Sequence, residues 1–337
     1  MGRPLTLERN RRRIDAAAAV VAQTDEAQDA LCLERDAWLR LPWPSLDDVV
    51  GGIGLGNVWF VGGFSGNGKT TFLMNLTAEL LLEDKVIYYL GTETRANELR
   101  TRLACQRVGC YAGDVLSGAS RQWDNWSLKR AALRDDIQLQ RTLGANNRFL
   151  VCPVQRVTAT ELVGSFEDAN IQGADLVIID HIDHMEHGAG KTGFEDSRML
   201  AHLVLDLGQS TGIPVIAATQ FNNEGARGDR LGQYQPPQPH HVYMGGHKRQ
   251  IAWGMLGLYR PLKDGLTKDQ LKDARAGKLE PAQFLEPNCM AISVMKHRYY
   301  GSREGQRVRL EFDHGRLKDI PERDQYVTDM QTRGPRP

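Results

Sequence analysis

The sequence predicts an α/β fold: a mostly parallel sheet flanked by helices, closed by a C-terminal β-hairpin and preceded by a short N-terminal helical arm. Three observations carry this. From Val49 onward, apolar runs of strand length alternate with helical patterns, which is how a parallel sheet with helical crossovers reads. The octapeptide Gly63-Phe64-Ser65-Gly66-Asn67-Gly68-Lys69-Thr70 matches the G-x-x-x-x-G-K-[ST] phosphate-binding loop between a strand and a helix, the context that the pattern needs. Leu176-Val177-Ile178-Ile179-Asp180 is an apolar run ending in a carboxylate, the form of a buried central strand.

Taken in order, residues 1–13 are polar and arginine-rich, and Ile14 to Leu41 reads as one or two helices stopped by Pro42 and Pro44. Val20, Val21, Leu31, Leu33, Trp38 and Leu39 need apolar cover, so residues 1–45 read as an arm that packs on a neighbouring subunit. Strands are expected at Val58–Val61, Val86–Leu90, Phe149–Cys152, Leu176–Ile179, Pro214–Ala218 and Met255–Tyr259. Helices are expected at Thr71–Leu82 and near Asn97–Val108, Ser127–Leu139, Thr160–Asn170 and Ser197–Gln209, the third of these four opened by a capping box, Thr158 to Glu161. Ala291–Met295, Val308–Phe312 and Arg316–Ile320 read as antiparallel strands, the first two joined by the turn Tyr300–Gly305. Lys263–Pro287 reads as an insertion with a short helix near Thr267. The ATPase-sized core thus spans 46–320, and 321–337 is a polar tail of disordered composition.

Composition narrows the classes. The chain has 337 residues with 41% hydrophobic content, enough for a real core. Lysine plus arginine and aspartate plus glutamate number 42 each, so no global field draws it to nucleic acid or membrane, and any DNA contact must be local. Five cysteines, an odd number without C-x-x-C, argue against a disulfide framework or zinc site and fit a reducing cytoplasm. No apolar stretch has the length of a membrane span.

The phosphate loop gives the chemistry its start. Backbone N–H groups of Gly63, Phe64, Ser65, Gly66, Asn67, Gly68, Lys69, Thr70 and Thr71 would surround a triphosphate at a helix N-terminus. Lys69 would reach the β and γ phosphates, and Thr70 would ligate Mg²⁺. A second G-K-T, Gly190-Lys191-Thr192, has Met185 where the first glycine should stand and is a chance match. Asp180 supplies a second carboxylate to the metal. Glu93 follows the strand ending at Leu90, and in a parallel sheet the loops at strand carboxyl ends border the ligand crevice, so it can polarise the attacking water. Gln220, after the strand ending at Ala218, can sense the γ-phosphate.

Together these segments resemble the helicase domain of DnaB-type replicative helicases, members of the RecA-like ATPase group, over about Leu41 to Asp319. The residues that carry the likeness are Leu46-Asp47 with Gly51 to Gly56, Glu93 with Leu99 and Arg102, and Ile179 to Met185. Ala218 to Asn222, Gly246, Gln250, Ala252, Leu258 to Arg260 and Lys296-His297-Arg298 complete it. The resemblance implies a ring, usually a hexamer, that hydrolyses ATP with Mg²⁺, moves on single-stranded DNA and separates duplex. It implies that Arg298 is an arginine finger acting in trans with Lys296 as its companion. It also implies that the loops Glu186–Glu195 and Asn222–Arg249 line a central pore, with Lys191, Arg227, Arg230, Lys248 and Arg249 as DNA phosphate contacts.

The chain departs from the family pattern at Arg249, Ile251 and Trp253, where acidic residues are usual, and near Tyr243 and Met244 in the pore loop. Only about 40 residues precede the core, short of an ordinary domain, so loader and primase contacts made through a further domain are not readable, and a phage or mobile-element replication protein is the expected setting. A filament-forming recombinase would carry a phenylalanine-containing polymerisation segment or a zinc finger before the core, and residues 1–45 contain neither phenylalanine nor C-x-x-C. A nucleotide-switched DNA-binding scaffold remains the alternative from another class.

Overall fold

The computed structural model describes residues 38–145, 148–153, 157–184, 193–222, 237–243, 245–260 and 288–320. Nine strands form one sheet in the order β3-β2-β4-β5-β1-β6-β7-β8-β9. They are β1 Val58–Gly63, β2 Ile87–Gly91, β3 Phe149–Pro153, β4 Leu176–Asp180, β5 Val215–Gln220, β6 Gly254–Tyr259, β7 Cys289–His297, β8 Arg307–Asp313 and β9 Arg316–Asp319. The first six are mutually parallel, and β7, β8 and β9 add antiparallel strands beyond β6. Every residue of β1, β2, β4 and β6 is buried, which is why these strands read as continuous apolar runs and not as alternating ones.

Eight α-helices flank the sheet: α1 Pro44–Val50, α2 Lys69–Leu82, α3 Ala96–Val108, α4 Ala112–Ser117, α5 Trp126–Ala145, α6 Ala159–Ile171, α7 Gly193–Thr211 and α8 Gly245–Ile251. Successive strand residues point to opposite faces, and two cores follow from that. Trp59, Val61, Ile87 and Tyr89 pack with Leu46, Phe72, Leu73 and Leu76 on one face. Val58, Phe60, Tyr88 and Leu90 pack with Leu162, Phe166, Leu200 and Val204 on the other. Each large side chain so buried is worth about 1.5–3 kcal/mol over leaving it in water.

Local chemistry sets the element ends. Thr158 accepts from the Glu161 amide while the Glu161 side chain accepts from the Thr158 amide, the reciprocal box expected from the sequence. The β8–β9 hairpin turns on His314 and Gly315, both at positive φ (50° and 90°), as a two-residue turn matched to strand twist requires. Pro44 differs from expectation. It opens α1 at its first turn instead of ending a helix, because a residue without an N–H loses nothing there.

The start and end of the described domain are joined. Trp43 packs on Phe72 with ring centroids 5.1 Å apart and donates its indole N–H to the Leu317 carbonyl at 3.0 Å. The Ser45 amide donates to Asp319 at 2.8 Å. Leu39 pairs with Ile53 and is 6% exposed, so the cover expected for Leu39 comes from its own domain. The rest of the expected helical arm, the insertion near Thr267 and the tail lie outside the described residues.

Candidate nucleotide site

Register brings the expected site together. Gly63 stands beside Gln220 in the β1–β5 pair and Gly91 beside Asp180 in the β2–β4 pair, so the phosphate loop, Glu93, Asp180 and Gln220 all emerge at the carboxyl end of the parallel strands. That is the crevice where such sheets bind ligands. The loop itself is shaped by Gly68. Its φ of +93° suits glycine alone, and a Cβ built there would come within 2.8 Å of the Met290 methyl. Gly68 caps α2, which begins at Lys69, leaving free N–H groups and the positive helix end facing the loop.

Lys69 is 9% exposed, and its ammonium donates to the Gly63 carbonyl at 2.8 Å and to Phe64 at 3.4 Å. Burial lowers its pKa, and Asp180, Asp183 and Glu93 act against that by favouring the charge. The ammonium thus sits folded over the loop, at the place a phosphate oxygen would take over its bonds.

Asp180 is 4% exposed and accepts from the Tyr89 hydroxyl at 2.8 Å. Burial raises its pKa, opposed by the bonds from Tyr89 and Thr70 and by the charges of His181 and Lys69. A carboxylate and a hydroxyl in mutual contact are oxygen donors of the kind that suit Mg²⁺. Among the described residues no group of three or more His, Cys, Asp or Glu side chains could hold a metal ion. Thr70 and Asp180 therefore fit part of a shell whose other positions belong to phosphate oxygens and water.

Glu93 and Gln220 meet at His181. His181 Nε2 lies 3.1 Å from Glu93 Oε1 and 3.0 Å from Gln220 Nε2. Asp183 stands behind them. It accepts from the Gln220 amide at 2.7 Å, from the Thr219 hydroxyl at 2.9 Å, and from the ammonium of Lys248. Sequence reasoning gives His181 and Asp183 no part in the site, although two polar residues close behind Asp180 in an otherwise apolar stretch are a readable signal.

Lys248 requires a correction. Expected as a DNA phosphate contact on a pore loop, it is instead 1% exposed on α8, with its ammonium bonded to Asp183, to the Thr219 hydroxyl at 3.1 Å and to the Tyr243 carbonyl at 3.0 Å. An ammonium so enclosed has no bond left for DNA. The segment expected as loop up to Arg249 is also helical from Gly245. Arg249 is exposed on that helix, while Lys191, Arg227 and Arg230 lie outside the described residues.

Lys296 and Arg298 are not brought to this site. Lys296 caps α8, its ammonium donating to the carbonyls of Arg249 and, at 2.6 Å, Ala252. Arg298 donates to the Gln250 carbonyl at 3.0 Å and lies 4.8 Å from the Trp253 ring centroid. Gly63 pairs with Leu258, but His297 pairs with Gly254, so the two cations stand at the far end of β6 from the phosphate loop, roughly 13 Å of strand away.

A phosphate loop between a central strand and the first sheet helix, with carboxylates and an amide at neighbouring strand ends, defines a RecA-like P-loop ATPase. The family model for the DnaB-like helicase C terminal domain matches residues 40–314. The chain belongs to that family and is an ATP-hydrolysing helicase domain of the DnaB type. Two solved structures share its fold. One is a DnaB-like replicative helicase described with its interactions with primase, at 16% identity and a TM-score of 0.68, covering 89% of this chain and 67% of that one. The other is a separately solved ATPase domain, at 17% identity and a TM-score of 0.67, covering 89% of this chain and 99% of that one. No curated protein sequence matches significantly.

Proposed function

We propose that the chain works as a ring, a hexamer by analogy with its family, that hydrolyses ATP with Mg²⁺, moves on single-stranded DNA and separates the duplex ahead. The observation that carries this reading is the distance of Lys296 and Arg298 from their own phosphate loop. A transferring phosphoryl group needs cations around its oxygens, and these two can serve only a neighbour.

In that ring Lys69 releases the Gly63 carbonyl and binds the β and γ phosphates, while loop N–H groups from Gly63 to Thr71 hold the remaining oxygens. Mg²⁺, held by Thr70, Asp180 and the phosphates, would neutralise developing charge. Glu93 orients the attacking water and accepts its proton, Gln220 contacts the γ-phosphate, and Arg298 with Lys296 reaches in from the next subunit. DNA contacts fall to Arg249 and to Lys191, Arg227 and Arg230.

The arm in residues 1–45 fits packing on a neighbour. A groove of about 660 Å³ between α3, α4 and α5 is lined by Arg121, Arg130, Arg134 and Arg141 with Trp126 and Leu133, and the segment Ile14–Ala37 carries six acidic residues against one arginine. The charges complement. A loader or primase as partner, a phage or mobile-element origin and a cytoplasmic setting complete the reading. Among the described residues no helix is long and apolar enough to cross a membrane.

The test is ATP hydrolysis and forked-duplex unwinding by the wild type, Lys69→Ala and Arg298→Ala, with particle imaging. Closed rings whose DNA-stimulated hydrolysis and unwinding vanish in both variants are expected. Filaments, or rings that hydrolyse ATP without unwinding, would overturn the helicase motor in favour of a recombinase or a scaffold.

A further inference from the structure

His181 is held where it can do more than fill space. Its side chain is 1% exposed, its Nδ1 lies 3.7 Å from Asp183 Oδ2, and its amide donates to the Thr92 hydroxyl oxygen at 2.9 Å. Thr92 is also bonded to the Asp180 and His181 carbonyls, so the loop that carries Glu93 and the residue after Asp180 are stitched together. The ring has no room to swing away. A ring nitrogen has one bonding direction, in the ring plane. At Nε2 that direction is contested by Glu93 Oε1 at 3.1 Å and the Gln220 amide at 3.0 Å.

We infer that His181 is a positioning residue that makes the placement of Glu93 conditional on that of Gln220. The inference rests on the roles proposed above for those two side chains. With Gln220 alongside, the Nε2 bond is divided and the Glu93 side chain, 43% exposed, is held loosely. When Gln220 turns to a γ-phosphate, Nε2 is left to Glu93 Oε1 alone, which fixes the carboxylate and leaves Oε2 for the water. The same nitrogen connects to the DNA side of the domain. Gln220 is tied through its amide to Asp183, and Asp183 to Lys248 of α8, so displacement of the segment after Gln220 alters which group His181 holds. The base is set only once the sensor has engaged.

The experiment compares wild type, His181→Phe, His181→Gln and Glu93→Gln in steady-state ATP hydrolysis with and without single-stranded DNA, alongside binding of a fluorescent ATP analogue and thermal melting. His181→Phe is expected to bind the analogue within about 2-fold of wild type while its DNA-stimulated kcat falls by about 10-fold or more, the scale lost when a base is misplaced. Its ratio of stimulated to basal rate should fall toward one. His181→Gln, whose amide N–H can reach the same carboxylate, should recover part of that ratio, and it carries the test if the phenylalanine variant does not fold. Wild-type rate and stimulation in His181→Phe overturn the inference, as does a loss shared equally by binding, melting and kcat and not recovered by glutamine. Hydrolysis lost in Glu93→Gln but intact in His181→Phe overturns the coupling alone. Hydrolysis surviving in Glu93→Gln overturns the base assignment and the coupling built on it.

Discussion

The ammonium of Lys248 is bonded to the carboxylate of Asp183 with both side chains buried, 1% and 6% exposed. This pair ties α8 to the segment just past β4, and Asp183 holds the Gln220 amide as well. Removing one partner strands a buried charge, which costs about 3–5 kcal/mol. Lys248→Met is therefore expected to lower unfolding stability in urea by about 3 kcal/mol. A double-mutant cycle with Asp183→Asn should return a large coupling energy, and additive effects would refute the pairing.

The far placement of Arg298 makes the proposed site divisible between subunits. Lys69→Ala and Arg298→Ala are each expected to be inactive. A mixed assembly creates some sites with an intact phosphate loop next to an intact arginine, so mixing the two variants should restore part of the ATPase rate. No recovery in assemblies shown by native mass spectrometry to be mixed would refute action in trans.

Lys296 gives a pH signature. Burial, with Arg298 second, pushes its ammonium down to about 8. Because the folded value lies below the ordinary one, the unfolded chain binds more protons between about 8 and the ordinary lysine range, and this residue's contribution to stability rises with pH across that window. The ammonium offered to a neighbour is lost over the same window. The wild-type kcat should therefore fall above about pH 8, and Lys296→Arg, which keeps its charge, should flatten that alkaline limb. A limb unchanged in the variant would remove Lys296 from the chemistry.

At the remote end of the sheet, Thr158→Ala removes the cap of α6. The expected cost is about 1 kcal/mol in chemical denaturation, with ATP hydrolysis at moderate temperature unaffected.

Much of the fold is legible from the chain because it is local. The phosphate loop, the Thr158–Glu161 box and the apolar runs of β1, β2 and β4 are encoded within a few residues each, and their structural ends fall within about two residues of expectation, the usual uncertainty of element boundaries. The α4 helix, six residues with Gly113 inside it, and the α8 helix, opening on Gly245 and Gly246, carry weak helical signals. Lys248 misleads for a different reason. Among glycines and beside Arg249 it has the look of a solvated loop cation, and its burial depends on Asp183, which is 65 residues away in sequence. The meeting of Glu93, His181 and Gln220 is likewise a product of strand order, which places β4 between β2 and β5.

The bonds from Trp43 to Leu317 and from Ser45 to Asp319 place the two ends of the ATPase domain side by side. The domain is in effect a closed loop of chain. A short linker joining them, with new ends opened at the exposed turn Gly301–Arg303, should give a circular permutant that folds to the same sheet. In the natural order, whatever precedes residue 38 and whatever follows residue 320 leave the domain from one patch, so a tag or tether at either end addresses the same side of the motor.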